Sequence, residues 1–375
     1  MREAGKRRDE RALIAHCRAG FEREATADLA AMAEVAGTTI AADAPEGRGF
    51  VVARPAYWHT ARWPRVLQQA APMFVRSLFV GDGPHALFDA GDPRTRPDRV
   101  APLLTLIAAE GTRDPERVYD DVRLETADTN DGKSLSPILR ALGSPLIDTL
   151  RADGALAADD NGPARLHLHV LLADGGHAYV GASEAPWASA WTMGIPRLRM
   201  PRNAPSRSTS KLAEAIVTFL GERESELLRP GMRAVDLGAA PGGWTWQLAR
   251  RGLRVTAVDN GPLKGDVAND PLVTHLRVDG LTFRPRRPVD WMVCDIAAPP
   301  SRVATMVAQW MSEGLARQAI FNLKLPMKKR YDEAVRCRSI IATALARAGI
   351  ACTLALKQLY HDREEITGYC ARRSR

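Results

Sequence analysis

Arg233-Ala234-Val235-Asp236-Leu237-Gly238-Ala239-Ala240-Pro241-Gly242-Gly243-Trp244 reads as a short buried strand, a glycine turn and a helix starting near Trp244. Ala234, Val235 and Leu237 are apolar, as a strand covered on both faces requires. Gly238, Gly242 and Gly243 let the backbone turn tightly and approach a ligand with no Cβ in the way. The N–H groups opening the next helix then face that ligand. The dinucleotide fingerprint G-x-G-x-x-G is the nearest competitor, and it fails. Two positions after Gly238 stands Ala240, and Pro241 has no N–H to give. A pyrophosphate wants several donors in a row, so a ligand with fewer anionic oxygens fits better.

Outward from this turn, the chain from Ser208 onward alternates strands and helices. A helix spans Thr209 to Gly221, with Ser208 or Ser210 as its N-cap. Strands follow at 234–237, 254–258, 273–278, 289–294, 318–323 and 351–357. Between them Trp244–Arg251, Arg302–Gly314 and Tyr331–Ala348 are the clearest helices. The pattern predicts an α/β domain: a doubly wound, mostly parallel sheet with helices on both faces. Ligands bind such sheets at the carboxyl ends of the strands. Asp236, Asp259, Asp279 and Asp295 all fall at or just past strand ends. Asp259 lies roughly twenty residues past the glycine turn, a spacing that suits a carboxylate accepting both ribose hydroxyls. Asp279 can accept from a further ligand donor, and Asp236 can orient the turn or reach a ligand amine. Trp244 and Trp246 read as packing residues, because the helix they open must bury one face.

S-adenosylmethionine, with one carboxylate, one amine, one sulfonium and no phosphate, meets the condition set by the turn. The run Asp236–Trp244 resembles the cofactor loop of ribose 2′-O-methyltransferases of the FtsJ type. Two further tracts are Asn322-Leu323-Lys324-Leu325-Pro326-Met327-Lys328-Lys329-Arg330-Tyr331 and Gln358-Leu359-Tyr360-His361-Asp362-Arg363-Glu364-Glu365. They resemble the bacterial large-subunit rRNA ribose methyltransferase M family. That resemblance covers nearly the whole chain and is strongest after about Met193. It implies a Rossmann-like class I methyltransferase domain over 208–375, with S-adenosylmethionine as cofactor and S-adenosylhomocysteine as product. The implied cofactor-binding residues are Ser208, Ala240, Pro241, Gly242, Gly243, Asp259, Asp279 and Asp295. The implied target is a cytidine of 23S rRNA or of a large-subunit precursor, cytidine 2498 of the peptidyl-transferase region.

A ribose hydroxyl is a weak nucleophile, so the enzyme must take or polarise its proton. A lysine can do this if desolvation or a neighbouring positive charge lowers its pKa to about 7–8. Lys324 ends the apolar strand Ala319-Ile320-Phe321-Asn322-Leu323, half buried and aimed at the cleft. Lys211 lies on the helix before the glycine strand. An acid in Arg363-Glu364-Glu365-Ile366-Thr367 can orient a lysine. By resemblance, Lys211, Asp295, Lys324 and Glu365 match in chain order the K-D-K-E tetrad of ribose 2′-O-methyltransferases. Lys324 is then the general base, held by Asp295, and Glu365 is preferred to Glu364 because it directly precedes the strand Ile366-Thr367-Gly368-Tyr369. The transfer is an in-line displacement that needs alignment and proton loss, and no metal. Two other chemistries compete. Base methylation at an exocyclic amine wants an acid or amide, two prolines and then an aromatic; after Asp295 the chain reads Ile296-Ala297-Ala298-Pro299-Pro300, with no aromatic following. Cytosine C5 chemistry wants a nucleophilic cysteine, and Cys294 points into the sheet if Asp295 points to the cleft. A catalytically degenerate binding module is the third alternative, and the intact tetrad weighs against it.

The N-terminal half predicts two smaller units. Residues 12–83 follow a β-α-β-α-β order: Ala12–Cys17, Phe21–Ala36, Gly49–Ala53 stopped by Pro55, Trp63–Ala70, and Phe74–Val80 ended by Gly81-Asp82-Gly83. This suggests a ferredoxin-like α+β unit. In 84–183, Pro84–Pro97 is loop, Val100–Gly111 helix and Asp121–Asn130 a strand running into a turn. Lys133–Leu142 and Pro145–Asp153 are helices, and Leu166–Leu172 with His177–Gly181 is a hairpin. The order resembles a THUMP domain, an RNA-docking module. His167 and His169 share one strand face, where a satisfied sheet histidine is the expectation ahead of a metal pair. Pro186, Pro196, Pro201 and Pro205 break 184–207 into a linker whose Arg197, Arg199, Arg202 and Arg207 suit phosphates. Lys328-Lys329-Arg330 and the tail Arg372-Arg373-Ser374-Arg375 add to that basic set.

The totals agree. The 375 residues carry a net charge of +8, which attracts a polyanion at long range but serves solubility equally well. Five scattered cysteines, Cys17, Cys294, Cys337, Cys352 and Cys370, form no C-x-x-C and argue against zinc or a disulfide framework. Residues 1–11 are charged, read as a disordered start and lack the apolar core of a secretory signal. No apolar run reaches the roughly 20 residues of a membrane span. The expectation is a cytoplasmic monomer with no membrane and no obligatory protein partner.

Overall fold

The computed structural model describes residues 11–88, 98–111, 117–158 and 165–373. Met1 to Glu10, most of the expected 84–97 loop, and Ser374 and Arg375 of the basic tail lie outside the described residues. The chain divides into two compact units, one ending at Ile195 and one beginning at Pro196. Among the described residues no helix is long and apolar enough to cross a membrane.

The first unit runs β1 (Ala12–His16), α1 (Glu22–Ala36), β2 (Ile40–Asp43), β3 (Phe50–Pro55), α2 (Trp63–Gln69), β4 (Ser77–Ala86), α3 (Val100–Gly111), β5 (Asp121–Thr126), α4 (Asn130–Ser134), α5 (Ser136–Ala152), β6 (Leu166–Leu172) and β7 (His177–Glu184). Its strands form one sheet in the order β2-β3-β1-β4-β7-β6-β5. All neighbours are antiparallel except β5 and β6. Leu103 and Ile107 of α3 and Leu142, Leu146 and Leu150 of α5 bury one face against Leu168, Val170 and Val180.

Three expectations are corrected here. The edge strand β2 was not predicted; Ile-Ala-Ala-Asp is mostly exposed and shows no alternation. Gly81-Asp82-Gly83 does not end a strand. β4 continues through it to Ala86 and pairs with β7, so the sheet is continuous across residue 83. Gly81 faces Gly181 there, and a Cβ on Gly81 would stand 2.2 Å from the Val180 carbonyl oxygen, so the glycines permit a close ladder rather than a turn. Finally, Pro145 lies inside one helix, α5, instead of separating two. Pro145 is exposed, and the stripe Leu142, Leu146, Leu150 continues past it at helical spacing, so packing outweighs the lost N–H bond.

The second unit runs α6 (Thr209–Leu220), α7 (Glu224–Leu227), β8 (Arg233–Leu237), α8 (Gly243–Ala249), β9 (Arg254–Val258), β10 (Val273–Leu276), β11 (Val289–Cys294), α9 (Pro300–Ser312), β12 (Ala316–Lys324), α10 (Arg330–Arg347), β13 (Cys352–Lys357) and β14 (Glu365–Arg372). The sheet order is β10-β9-β8-β11-β12-β14-β13. β10 through β12 are parallel, and β14 inserts antiparallel between β12 and β13. Leu212 and Ile216 of α6 and Trp244 and Leu248 of α8 pack on Val255, Trp291, Val293 and Ile320. At about 1.5–3 kcal/mol for each large apolar side chain buried, this layer fixes α6 and α8 against the strands that carry the acids. The doubly wound α/β architecture is the one the sequence predicts, and the glycine turn follows β8, beside the point where the strand order reverses between β8 and β11.

Candidate active site

The glycine turn is held by contacts that only glycine permits. Gly238 has φ +80°, and a Cβ there would lie 2.8 Å from Ile296 Cγ1 and 3.0 Å from the Ile296 nitrogen. Gly243 presses on the start of α6: a Cβ would meet Ser208 Oγ at 2.4 Å and the Thr209 nitrogen at 2.9 Å. The helix carrying Lys211 is therefore seated directly on the turn. Ser208 does not cap it. Its backbone is already helical, and its Oγ lies 2.7 Å from Ser206 Oγ.

The strand-end acids divide into different tasks. Asp236 sits inside β8, fully buried, and its Oδ2 accepts the Thr245 hydroxyl at 2.6 Å. That bond ties α8 to β8 and so braces the turn between them. Burial pushes the Asp236 carboxyl up to about 7; the Thr245 hydrogen bond opposes this and the nearby Asp295 charge adds to it. Asp259 accepts the Ala240 N–H at 3.0 Å and the Gly261 N–H at 2.7 Å, one on each oxygen. Each oxygen keeps a lone pair for a further donor. β10 ends at Leu276, so Asp279 lies three residues beyond it, in a turn where its Oδ1 accepts the Leu281 N–H at 2.9 Å.

A cleft with two lobes opens above these strands. One lobe, about 320 Å³, is lined by Ser206, Arg207, Ser208, Pro241 and Trp244. The other, about 310 Å³, is lined by Val258, Asp259, Asn260, Asp279, Gly280 and Ile296. Gly238, Ala240 and Asp295 line both.

Asp295, one residue past β11, reaches from the cleft into a ring of four charges. Lys324 Nζ lies 2.5 Å from Asp295 Oδ1 and 3.0 Å from Glu365 Oε1. Lys211 Nζ lies 2.7 Å from Glu365 Oε2 and 3.8 Å from Asp295 Oδ2. Each lysine thus faces both carboxylates, and all four side chains are at most 28% exposed. Glu364 is turned outward onto Arg330 at 3.0 Å. The expectation of a depressed lysine pKa is corrected. Burial pulls the Lys324 ammonium down, but Asp295 and Glu365 together hold it above the ordinary lysine value. Burial likewise pushes Glu365 up, and Lys211 and Lys324 outweigh it, leaving this carboxyl below its ordinary value. Sequence reasoning let desolvation or a positive neighbour lower this pKa, with Asp295 holding the lysine; at 2.5 and 3.0 Å Asp295 and Glu365 outweigh the burial.

Sequence reasoning does not reach the residues behind the ring. Glu214, three positions after Lys211, is buried and accepts the N–H groups of Tyr360 at 2.7 Å and His361 at 2.8 Å, with His361 Nδ1 at 2.7 Å. It anchors the loop that leads into Glu365. Asn322 Nδ2 donates to Asp295 Oδ1 at 3.2 Å, and Asn322 Oδ1 lies 2.8 Å from Thr367 Oγ1. The one signal for this layer was an asparagine inside an apolar strand. Cys294 is fully buried, and burial pushes its thiol up to about 12, so no thiolate is available there. His169 is buried between Glu125 at 2.8 Å and Ser183 Oγ at 2.7 Å, and His167 faces Asp121 at 3.2 Å. Among the described residues no three His, Cys, Asp or Glu side chains form a metal-binding group.

Residues 98–184 match the family model for the N-terminal part of ribosomal RNA large subunit methyltransferase M, and 204–343 match that of FtsJ-like methyltransferase. The ribosomal RNA large subunit methyltransferase M of Azoarcus sp. (strain BH72) is 45% identical over 364 residues, 95% of either chain. That of Cellvibrio japonicus (strain Ueda107) is 46% identical over 362 residues, 95% of this chain and 98% of the relative. The chain belongs to the ribosomal RNA large subunit methyltransferase M family. The methyl donor of this methyltransferase M fold is S-adenosylmethionine. The cleft fits that group. Its Ser206–Ser208 lobe offers hydroxyls to an amino-acid end, and its Asp259, Asn260 and Asp279 lobe offers acceptors to a nucleoside end. Between the lobes Gly238 leaves the floor bare of side chain, and Asp236 Oδ1 is buried beneath with no hydrogen-bond partner.

Proposed function

We propose that this methyltransferase M family member methylates the 2′-hydroxyl of a ribose in 23S rRNA, cytidine 2498 by family resemblance. The coarser activity, S-adenosylmethionine-dependent methylation of large-subunit rRNA, follows from the family. The finer reading rests on one observation: two lysines and two carboxylates close into a ring at the edge of a cleft suited to the methyl donor.

Ser208, Ala240, Pro241, Gly242, Gly243, Asp259, Asp279 and Asp295 hold the cofactor in this reading. Asp259 takes the ribose hydroxyls and Asp279 the adenine amine. S-adenosylmethionine, when bound, supplies an electrophilic methyl group on a sulfonium sulfur. Lys324 receives the proton of the attacking hydroxyl. Its raised pKa means that it must first release its own proton, through the 28% of its side chain that solvent reaches. Asp295 holds Lys324 beside the shared wall of the two lobes. Lys211 and Glu365 position the sugar and balance the charge. The exposed Arg197, Arg199, Arg202 and Arg207, with Lys328 and Lys329, neutralise the RNA backbone. Residues 84–183 dock the RNA, the partner being 23S rRNA or its precursor. The enzyme works as a cytoplasmic monomer.

The test is the position of the methyl group. RNA from a strain lacking the protein is methylated with labelled cofactor and digested with alkali. A 2′-O-methyl blocks cleavage at the adjacent phosphodiester, so the label appears in dinucleotides. Label in mononucleotides would mean base methylation and end the proposal.

A further inference from the structure

Behind the ring lies a buried line of polar groups that the reaction as derived does not use. Asp362, Thr367 and Asn322 are all 0% exposed. Thr367 Oγ1 stands 2.8 Å from Asn322 Oδ1, and 2.8 Å and 3.1 Å from the two oxygens of Asp362. Asn322 Nδ2 donates to Asp295 Oδ1 at 3.2 Å, the same oxygen that faces Lys324.

Counting hydrogens fixes the direction of this line. The amide of Asn322 cannot be reversed, because its oxygen would then face the Asp295 carboxylate. Asn322 Oδ1 therefore needs a donor, and among the described residues Thr367 is the one within reach. The Thr367 hydroxyl has one hydrogen. Once it is given to Asn322, the Thr367 oxygen meets Asp362 with lone pairs alone. An ionised Asp362 would place lone pair against lone pair at 2.8 Å. A neutral Asp362 resolves the conflict by donating to Thr367.

We propose that Asp362, Thr367 and Asn322 form a positioning relay for Asp295, in which the proton kept on Asp362 points every hydrogen bond toward the ring. This rests on the reading of Asp295 as part of the reacting ring. The surroundings agree with a retained proton. Glu214 from α6, paired with His361, and Glu365 at the start of β14 are the charged groups around Asp362. Burial, then these two carboxylates, push its carboxyl up to about 8, against the hydrogen bond from the Leu359 N–H. The positive groups of the ring lie beyond Asn322 and Glu365. When Asp362 loses its proton, Thr367 turns its hydrogen to the new carboxylate. Asn322 then loses its donor, and Asp295 loses a fixed partner.

The experiment uses the full-length enzyme, unmodified 23S rRNA and S-adenosylmethionine. Asp362→Asn keeps a neutral donor at the same place and should retain kcat within about threefold at pH 7. Thr367→Val removes the hydroxyl and should lose about tenfold in kcat, with cofactor affinity by calorimetry unchanged, while Thr367→Ser should recover it. The ratio of kcat in Asp362→Asn to wild type should be flat below pH 7 and rise above pH 8, because only the wild type loses the proton. An infrared difference spectrum between the two should carry a protonated-carboxyl band that fades over the same range. A flat ratio across pH 7–9.5, absence of that band at pH 7, or a folded Thr367→Val with wild-type kcat would overturn the relay. Lys324→Ala is assayed in parallel: an active Lys324→Ala would end the tetrad reading instead, so the two failures are distinguishable.

Discussion

Lys324 and Glu365 stand directly opposite each other on the antiparallel strands β12 and β14, and their side chains meet at 3.0 Å. Strand register therefore sets this ion pair. A slip of one residue would turn one of the two side chains to the other face of the sheet. The pair also sets a proton affinity, since Glu365 helps Asp295 hold Lys324 in its charged form against burial. Replacing Glu365 by Gln removes one of those charges. The Lys324 pKa then falls, and the rising limb of log kcat against pH should move to lower pH. A limb that stays in place or moves to higher pH would contradict the assignment.

Lys324→Ala should lower kcat by at least about 100-fold, the lower end of what a positioned acid–base group contributes. Cofactor affinity should change little, because Lys324 lines neither lobe of the cleft. Isothermal calorimetry and single-turnover methylation separate the two effects.

Gly238→Ala should damage the cofactor site. The new Cβ would sit within 3.0 Å of Ile296 side-chain and backbone atoms, at a backbone φ of +80°. Strain of about 1–3 kcal/mol is the expected cost. Thermal unfolding should show that loss, and the Kd for S-adenosylmethionine should rise at least tenfold.

Asp362 makes folding stability depend on pH. Its folded pKa, about 8, lies above the ordinary carboxyl value of 3.8. The folded state therefore keeps a proton that the unfolded state has already released, and stability from this group falls as pH rises from about 4 toward 8. Asp362→Asn removes that dependence. Denaturant melts should find the variant gaining stability relative to wild type from pH 5 to pH 8, and a constant difference would be the contrary result.

The basic residues just beyond the ring bear on RNA affinity. Lys328 and Lys329 are exposed between β12 and α10. If each meets a phosphate, removing one should reduce the slope of log K against log salt by about 0.7–0.9, with equal effect on RNAs of different sequence. Filter binding at several salt concentrations checks this.

The sequence made parts of this molecule legible for physical reasons. An apolar run into Gly238 with acids at strand ends leaves few folds open. Lys324 at the end of an apolar strand is costly unless partnered, so partners could be sought. Asp295, Glu365 and Lys211 could be named as its neighbours only through resemblance, because they converge through sheet order and helix packing, which have no local trace. The Asp362–Thr367–Asn322 line was hidden for the same reason: each member is an ordinary loop or strand residue until the antiparallel insertion of β14 brings Thr367 beside Asn322. In the first unit, Gly81 and Pro145 misled because local breaker rules were overruled by cross-strand packing and a continuous leucine stripe.

The Gly81–Gly181 approach constrains how this half of the protein can be taken apart. With β4 laddered to β7, severing the chain near residue 83 would leave both fragments with a raw, apolar sheet edge. Residues 12–184 are therefore one indivisible module for expression, transplantation or inheritance, and a shortened version should aggregate rather than fold.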